Sequence, residues 1–245
     1  MLEGRTDSMN ANNQSAHLSR RNLLKFSAGA IGTGVLTAGL GSELAFPDKA
    51  VAKENMTPEQ ALQELMKGNQ RFVSGKLENP RRNRARLAEV AKTQKPFAAI
   101  LGCADSRVPS EIIFDQGFGD LFICRIAGNV ATPEEIGSLE FGTLVLGAKV
   151  IVVMGHKRCG AVEATIKGAQ VPGQIASLLE AIKPALKLSN TQTGDELEKA
   201  TKANVLFQME RLKASPVISQ LIKEGKLTLV GGYYDLDTGT VTMVS

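Results

Sequence analysis

The chain has no tryptophan and only three cysteines among its 245 residues. Three cysteines are too few for a disulfide framework, and the odd number leaves at least one thiol unpaired within the chain. Metal binding or catalysis is therefore the better interpretation of these thiols. Neither a G-x-G-x-x-G motif nor a G-x-x-x-x-G-K-[ST] motif follows a predicted strand, which argues against nucleotide chemistry. No internal repeat is present, and the length favours one main domain.

The net charge is only mildly basic, +4 at pH 7, and acidic residues are interspersed with the basic ones. Nucleic-acid sites combine clustered basic residues with aromatic side chains, and the densest basic cluster here has none between its members. We interpret this cluster as the solvated face of a helical arm or a contact with another subunit, and we expect no nucleic-acid partner. It consists of Arg81, Arg82, Arg84 and Arg86.

The first fifty residues contain an export pattern. The pair Arg20-Arg21 precedes an apolar, glycine-rich run over residues 26–40. This run is shorter than the ~20 residues that a helix needs to span a bilayer. Ala50 and Ala52 then offer an A-x-A-like cleavage site. The pattern resembles a twin-arginine export signal, which directs proteins that are already folded.

Two segments are therefore expected, a removed signal peptide over residues 1–52 and a folded domain over residues 53–245. The twin-arginine export machinery would be the partner during translocation. The mature protein would work in the periplasm, or in the thylakoid lumen of a photosynthetic organism. Export in the folded state would let a metal be inserted before the thiols meet an oxidising compartment.

Short apolar runs alternate with helical patterns in the remaining chain, which indicates an α/β fold. Apolar runs without polar alternation are typical of parallel strands that are covered on both faces. We expect a central, mainly parallel sheet flanked by helices, with an N-terminal helical arm. The predicted strands cover residues 97–101, 121–126 and 150–154, and terminal strands with a hairpin turn cover 227–230, 233–236 and 240–244. The predicted helices cover residues 57–75, 132–147 and 195–213.

Polar side chains follow two of the predicted strands at the point where each strand ends. Cys103, Asp105 and Arg107 follow the first strand, and His156 and Cys159 follow the third. Ligand sites in open α/β sheets form beyond the carboxyl ends of parallel strands, so these side chains are expected to converge. Sulfur, nitrogen and oxygen donors together suit zinc, which binds all three without redox chemistry. His156 is the only histidine after residue 52.

The pattern Cys103-x-Asp105-x-Arg107, followed about fifty residues later by His156-x-x-Cys159, resembles the signature of the β-class carbonic anhydrases. The similarity runs from about residue 57 to the C terminus, and it includes residues 113–117, 127–129 and 137–140. The resemblance implies a β-carbonic anhydrase-like catalytic domain over residues 53–245. Its implied activity is the zinc-dependent, reversible hydration of carbon dioxide to bicarbonate and a proton, by attack of zinc-bound hydroxide.

The resemblance also implies roles for individual residues. Cys103, His156 and Cys159 would be permanent ligands of one zinc ion per subunit, and Asp105 or water would take the fourth position. Arg107 would pair with Asp105 and draw it off the metal, which leaves the open position of a catalytic zinc site. The implied residues of the CO2 or bicarbonate pocket are Gln94, Phe122, Ala127, Phe141 and Gly160.

The chain departs from the family pattern at two points. Many members have tyrosine where Phe141 stands, and some have a tryptophan-containing bicarbonate pocket that this chain lacks. We therefore expect a constitutively open metal site. The mature chain also has no second histidine to carry protons, so turnover is expected to depend on buffer or on an acidic relay. Family members form homodimers or larger homo-oligomers with exchanged N-terminal helices, so the resemblance implies a homo-oligomer in which the helix over residues 57–75 is the exchanged arm.

Three other interpretations stay open on the sequence alone. The same hydroxide chemistry would serve a carbonyl sulfide or carbon disulfide hydrolase. A fully closed set of four ligands would make a non-catalytic zinc protein, in which the metal stabilises the fold. A thiol redox protein would use Cys103 and Cys159, although no C-x-x-C pair is present. Cys124 lies within a predicted strand and is expected to be a buried hydrophobic side chain.

Overall fold

The computed structural model of the protein describes residues 56–244. The expected signal peptide, its cleavage site and His17 lie outside the described residues. The α-helices are α1 Pro58–Val73, α2 Arg84–Val90, α3 Ser110–Ile113, α4 Pro133–Glu140, α5 Gly160–Ile166, α6 Ile175–Ile182, α7 Glu196–Lys213 and α8 Pro216–Lys223. The strands are β1 Ala98–Gly102, β2 Leu121–Arg125, β3 Val150–His156, β4 Thr228–Tyr234 and β5 Val241–Val244. Single turns of other helix types cover Ala127–Asn129 and Phe141–Val145, and Lys183–Thr191 forms a longer 3-10 segment.

The five strands form one sheet in the order β2-β1-β3-β4-β5. The pairs β1–β2, β1–β3 and β3–β4 are parallel, and β5 is antiparallel to β4. Every residue of β1 and β3 is buried, as expected for central strands with helices on both faces. The predicted α/β class with a mainly parallel sheet is confirmed.

Two apolar layers cover the sheet because successive side chains of a strand point to opposite faces. On β1, Ala99 and Leu101 pack in one layer with residues of α7 and α8. Their neighbours Ala98 and Ile100 pack in the other layer, with residues of α1 and α3. No helix within residues 56–244 has the length and apolarity needed to cross a membrane.

The C-terminal strands differ from the prediction. Residues 227–230 and 233–236 were expected as separate strands, but β4 continues through Gly231 and Gly232. These glycines are required by packing rather than by a break in the strand: a Cβ on Gly231 would lie 2.8 Å from the Val205 side chain of α7. The expected hairpin turn is confirmed, since the Asp235 N–H donates to the Thr240 carbonyl at 2.9 Å.

The predicted helix over residues 132–147 is interrupted. Regular α-helix ends at Glu140, and a π-type turn follows over Phe141–Val145. In that turn the Leu146 N–H donates to the Phe141 carbonyl at 3.2 Å, and the Thr143 hydroxyl donates to the Leu139 carbonyl at 2.8 Å. Hydroxyl groups that bond back to helix carbonyls locally disturb the regular ladder.

Helix α1 begins at a capping box in which Thr57 and Gln60 bond each other's backbone. In the structure the helix packs on its own chain, so its exchange with a second subunit stays a prediction.

The buried side-chain amide of Asn69 connects helix α1 to the C-terminal strands. It donates to the Gly239 carbonyl at 2.8 Å and accepts from the Val241 N–H at 2.9 Å, which joins α1 to the β4–β5 hairpin.

The arginine cluster has an internal role that the sequence did not reveal. The carboxylates of Asp115 and Asp120 are fully buried, and arginines surround both of them. Arg81 Nε donates to Asp120 at 2.6 Å, and Arg82 Nη2 lies 3.6 Å from Asp115. The interpretation of this cluster as a solvated face or a contact with another subunit was therefore incomplete, because Arg81 and Arg82 anchor the segment before α2 to the body of the chain.

Candidate metal centre

Three potential metal ligands meet at the carboxyl ends of β1 and β3. Cys103 follows β1, His156 is the last residue of β3, and Cys159 caps the start of α5. The two strands are parallel neighbours in register, which brings their ends together. The ligand atoms of the three residues lie within 4.8 Å of one another, and all three residues are buried. The sequence predicted this convergence.

The imidazole of His156 has the environment of a metal ligand. Its Nδ1 lies 2.9 Å from the Lys157 carbonyl, so Nδ1 carries the hydrogen and Nε2 keeps its lone pair. The ring is fully buried, and Nε2 has no hydrogen-bond partner among residues 56–244. A buried polar atom without a partner is unfavourable. A cation held between this nitrogen and the two sulfurs satisfies it, so the residues present fit a metal ion.

The two thiols are electrostatically coupled. The Cys159 side chain donates to Cys103, and this bond holds the pKa of Cys103 well below its usual range despite burial. The Gly128 N–H adds a bond to Cys103 Sγ at 3.3 Å. The bond between the two cysteine side chains, together with burial, raises the pKa of Cys159. A divalent cation between the two sulfurs would stabilise both of them as thiolates.

Asp105 lies beside the three ligands but is tied to Arg107. Arg107 donates from Nε to Oδ1 at 2.9 Å and from Nη2 to Oδ2 at 2.7 Å. Asp105 Oδ2 lies 3.9 Å from His156 Nε2. Hydrogen bonding to Arg107, opposed by partial burial, holds the pKa of the Asp105 carboxyl below its usual range. Asp105 is not in the group of three whose ligand atoms lie within 4.8 Å of one another.

Two supports of this site were missed by the sequence interpretation. Arg125, at the end of β2, donates to the carbonyls of Cys103 at 3.0 Å and Asp105 at 2.6 Å. Its position at the carboxyl end of a neighbouring strand was a usable signal. Asp237, in the β4–β5 hairpin, accepts two hydrogen bonds from Arg158. No local pattern pairs these residues, because they are far apart in the sequence.

The residues implied for substrate binding divide into two groups. Ala127 and Gly160 lie beside the ligands: Ala127 precedes the Gly128 N–H that donates to Cys103, and Gly160 follows Cys159. A Cβ on Gly160 would meet no atom of the described residues within 4 Å beyond its chain neighbours and its own helix backbone.

The other three residues lie at the opposite end of the sheet. Phe122 pairs with Ala99, which precedes Cys103 by four residues, or roughly 13 Å at ~3.3 Å per strand residue. The Phe141 ring lies 6.5 Å from the Phe122 ring, and Gln94 is exposed in the loop before β1. Within one chain, the structure does not bring these three side chains to the metal ligands.

Comparison with known proteins agrees with this geometry. A family model described as "Carbonic anhydrase" matches residues 98–241, more than half of the chain. Carbonic anhydrase 2 of Mycobacterium tuberculosis is 38% identical over 194 residues, which cover 77% of this chain and 94% of the relative.

Solved structures show the same fold. A β-carbonic anhydrase of Coccomyxa, in complex with acetazolamide, has a TM-score of 0.58 and 26% identity, over 75% of this chain and 86% of that one. A tetrameric β-carbonic anhydrase of Sordaria macrospora has a TM-score of 0.61, covering 75% and 96% of the two chains; at 22% identity it supports the fold alone. The chain belongs to the β-class carbonic anhydrase family.

Proposed function

We propose that the chain binds one zinc ion through Cys103, His156 and Cys159 and catalyses the reversible hydration of carbon dioxide to bicarbonate. The observation that carries this proposal is the buried group of two sulfurs and one unpartnered imidazole nitrogen. Three protein ligands with a fourth position left open are typical of catalytic rather than structural zinc. The pairing of Asp105 with Arg107 supports such an open position.

When bound, zinc would supply Lewis-acid chemistry and make hydroxide available near neutral pH, for which carbonic anhydrase is the standard example. The chain's own residues would orient the reaction. Asp105 stays ionised beside Arg107 and is placed to accept a hydrogen bond from a reacting water molecule near His156 Nε2. The guanidinium of Arg107 fixes which way that carboxylate points, since both of its oxygens are engaged.

The proton released by hydration has no histidine to carry it within residues 56–244. His156 is the one histidine in that range, and both of its ring nitrogens are committed, one to the Lys157 carbonyl and one to the proposed metal. We therefore propose that the proton passes to buffer or to an acidic group at the surface. This is a property of the chain that kinetics can test directly.

We further propose that the substrate pocket is completed by a second copy of the chain. Strand β2 is an edge strand, and apolar side chains beside it are exposed, including Phe118, Phe141 and Leu144 at 44%, 46% and 37%. Exposed apolar patches of this kind mark association surfaces. A homodimer or larger homo-oligomer formed through this edge would bring Gln94, Phe122 and Phe141 of one copy toward the ligands of another.

Export remains a proposal that rests on the sequence. Residues 1–52 carry the Arg20-Arg21 pair and the apolar run, and we propose that the twin-arginine machinery delivers the folded protein to the periplasm or thylakoid lumen. Replacement of both arginines by lysine should retain the protein in the cytoplasm as the full-length chain. Unchanged export of that variant would refute the proposed route.

The proposed activity is tested by stopped-flow CO2 hydration on purified protein whose zinc content is measured in the same sample. Wild type should contain one zinc per chain and hydrate CO2. Cys159→Ser should lose both, whereas Cys124→Ser is the matched control, because Cys124 lies mid-strand outside the group of three. Zinc without hydration across pH 7 to 9 would favour a structural metal, and a stable Cys103–Cys159 disulfide in active material would favour redox chemistry.

A further inference from the structure

The loop that carries two of the proposed ligands is held from outside by the C-terminal hairpin. Between His156 and Cys159 lie Lys157 and Arg158, and both side chains reach Asp237. Arg158 donates to the two carboxylate oxygens of Asp237 from Nη1 at 3.0 Å and from Nη2 at 2.5 Å. A bidentate pair of this kind fixes direction as well as distance.

Arg158 links this pair to the catalytic carboxylate. Its backbone has φ of 56°, in the left-handed region that non-glycine residues seldom adopt. In this conformation its side chain meets Asp237, while its carbonyl faces Arg107 Nη2 at 3.4 Å. The same Arg107 Nη2 donates to Asp105 at 2.7 Å. Contacts therefore run without a gap from the hairpin to the carboxylate beside the metal site.

Hydrogen bonds hold the β4–β5 hairpin in place. Asp235 Oδ1 accepts from the backbone N–H groups of Asp237 at 2.7 Å and Thr238 at 3.2 Å, which closes the turn. The buried Asn69 amide joins the other side of the hairpin to α1. Asp237 thus lies in a hydrogen-bonded turn that is joined to α1.

We propose that Asp237 is a positioning residue for the metal centre, acting through Arg158 to set the His156–Cys159 loop and the orientation of Arg107. This inference rests on the proposed zinc site. Substitution of groups that orient metal ligands typically costs 10- to 100-fold in metal affinity. Because Asp237 acts one residue removed from the ligands, we expect a loss near the lower end, about tenfold.

The solvent exposure of the Arg158–Asp237 pair allows a positioning role to be distinguished from a role in fold stability. The side chains of Arg158 and Asp237 are 50% and 52% exposed. Exposed ion pairs contribute little to folding stability. Loss of the pair should therefore leave the melting temperature of the metal-free protein almost unchanged while zinc affinity falls. Substitution of a residue that only stabilised the fold would instead lower the melting temperature and leave zinc affinity almost unchanged.

The test is a zinc competition titration on the purified chain, with wild type, Asp237→Ala, Arg158→Ala and the double variant. Each single variant should weaken zinc binding about tenfold, and the double variant should be no weaker than Asp237→Ala, because loss of Asp237 already breaks its contact with Arg158 as well as that with Lys157. Glu180→Gln is the control, since it removes an exposed ion pair, Glu180–Lys183, that lies at the C-terminal end of α6 and not in the His156–Cys159 loop. It should bind zinc like wild type.

Cobalt(II) binding gives a second readout, because its visible spectrum reports ligand geometry. Asp237→Ala should shift that spectrum relative to wild type and Glu180→Gln. Wild-type zinc affinity and an unshifted spectrum in Asp237→Ala would overturn the inference and leave the proposed function intact. Additive losses in the double variant would also overturn it. Failure of wild type to bind zinc would refute the proposed function itself.

Discussion

The Arg107 guanidinium and the Asp105 carboxylate form a two-bond pair, with Nε to Oδ1 at 2.9 Å and Nη2 to Oδ2 at 2.7 Å. A third bond joins the Arg107 N–H to Asp105 Oδ1 at 2.9 Å. Both carboxylate oxygens are engaged, so the carboxylate has one orientation. At 3.9 Å from His156 Nε2 it borders the proposed metal site without belonging to the group of three ligands.

Replacement of Arg107 tests this pair. Lysine keeps the charge but cannot make two parallel bonds, and alanine keeps neither. Because misplacement of a reacting group by about 1 Å can cost on the order of 100-fold, we expect Arg107→Ala to lower CO2 hydration by roughly that factor. Arg107→Lys should recover only part of the loss. Zinc content measured alongside should stay at the wild-type level in both.

That result depends on Arg107 acting on Asp105. Asp105→Asn and the double variant Asp105→Asn/Arg107→Ala should be about equally slow, since both remove the oriented carboxylate. Hydration by Arg107→Ala at more than half the wild-type rate would contradict the assigned role.

The sequence was enough to predict the sheet and the convergence of Cys103, His156 and Cys159. The apolar runs of β1 and β3 reflect burial on both faces, and polar residues at their ends mark the site, because parallel strands end at the same edge. The continuous β4 was missed, since Gly231 and Gly232 suggest a break until the approach of α7 is known. The Asp237–Arg158 pair was also missed, because such a pairing depends on tertiary structure.

The positions of the implied substrate-binding residues could not be predicted from the sequence either. Family resemblance placed Gln94, Phe122 and Phe141 in the pocket, whereas their location relative to the ligands depends on strand register and on association of chains. Register puts Phe122 near the start of β2, far from Cys103 within one chain. A single sequence contains no signal of which residues another copy contributes.

Association through the β2 edge predicts a coupled loss of assembly and activity. Phe141→Arg places a charge on the exposed apolar surface and should reduce the assembly to smaller species in sedimentation velocity. CO2 hydration should fall in the same samples, because the pocket would then lack the residues from a second copy. Leu188→Arg is the control: Leu188 is similarly exposed, at 42%, but lies in the 3-10 segment Lys183–Thr191. Retained assembly and activity in Phe141→Arg would argue against this edge.

The buried Asp115 carboxylate predicts a pH-dependent contribution to stability. Burial opposes its ionisation, but Arg71 Nε at 2.7 Å and the N–H groups of Glu78 and Asn79, each at 3.0 Å, outweigh that effect and lower the pKa of Asp115. Removing one partner of a buried ion pair costs about 3 kcal/mol. Asp115→Asn should therefore lower the free energy of unfolding by about that amount at pH 7.

The sign of the pH effect follows from the lowered pKa. The stabilisation is fully present above the ordinary carboxyl pKa of about 3.9 and is lost as the pH falls through the lower folded-state value. Urea unfolding should therefore show the gap between wild type and Asp115→Asn closing only in strong acid. Glu89→Gln, at an exposed ion pair with Arg86, should change stability little at any pH. A gap that is constant with pH would contradict the assignment.

The missing histidine carrier predicts buffer-dependent turnover. The steady-state hydration rate should rise with buffer concentration at fixed pH and ionic strength and then level off, because buffer accepts the proton in the slow step. Stopped-flow measurements with buffers of different pKa test this. Rates that stay constant as buffer is diluted would show that another group of the chain carries the proton.

The central claim concerns which side chains hold the metal, and X-ray absorption at the zinc edge on active, purified protein tests it most directly. The account predicts two sulfur neighbours at about 2.3 Å, one nitrogen at about 2.0–2.1 Å and one further light atom. Those neighbours correspond to Cys103, Cys159, His156 and an open position taken by solvent. A zinc shell without sulfur, or one with four protein ligands in active enzyme, would contradict the account.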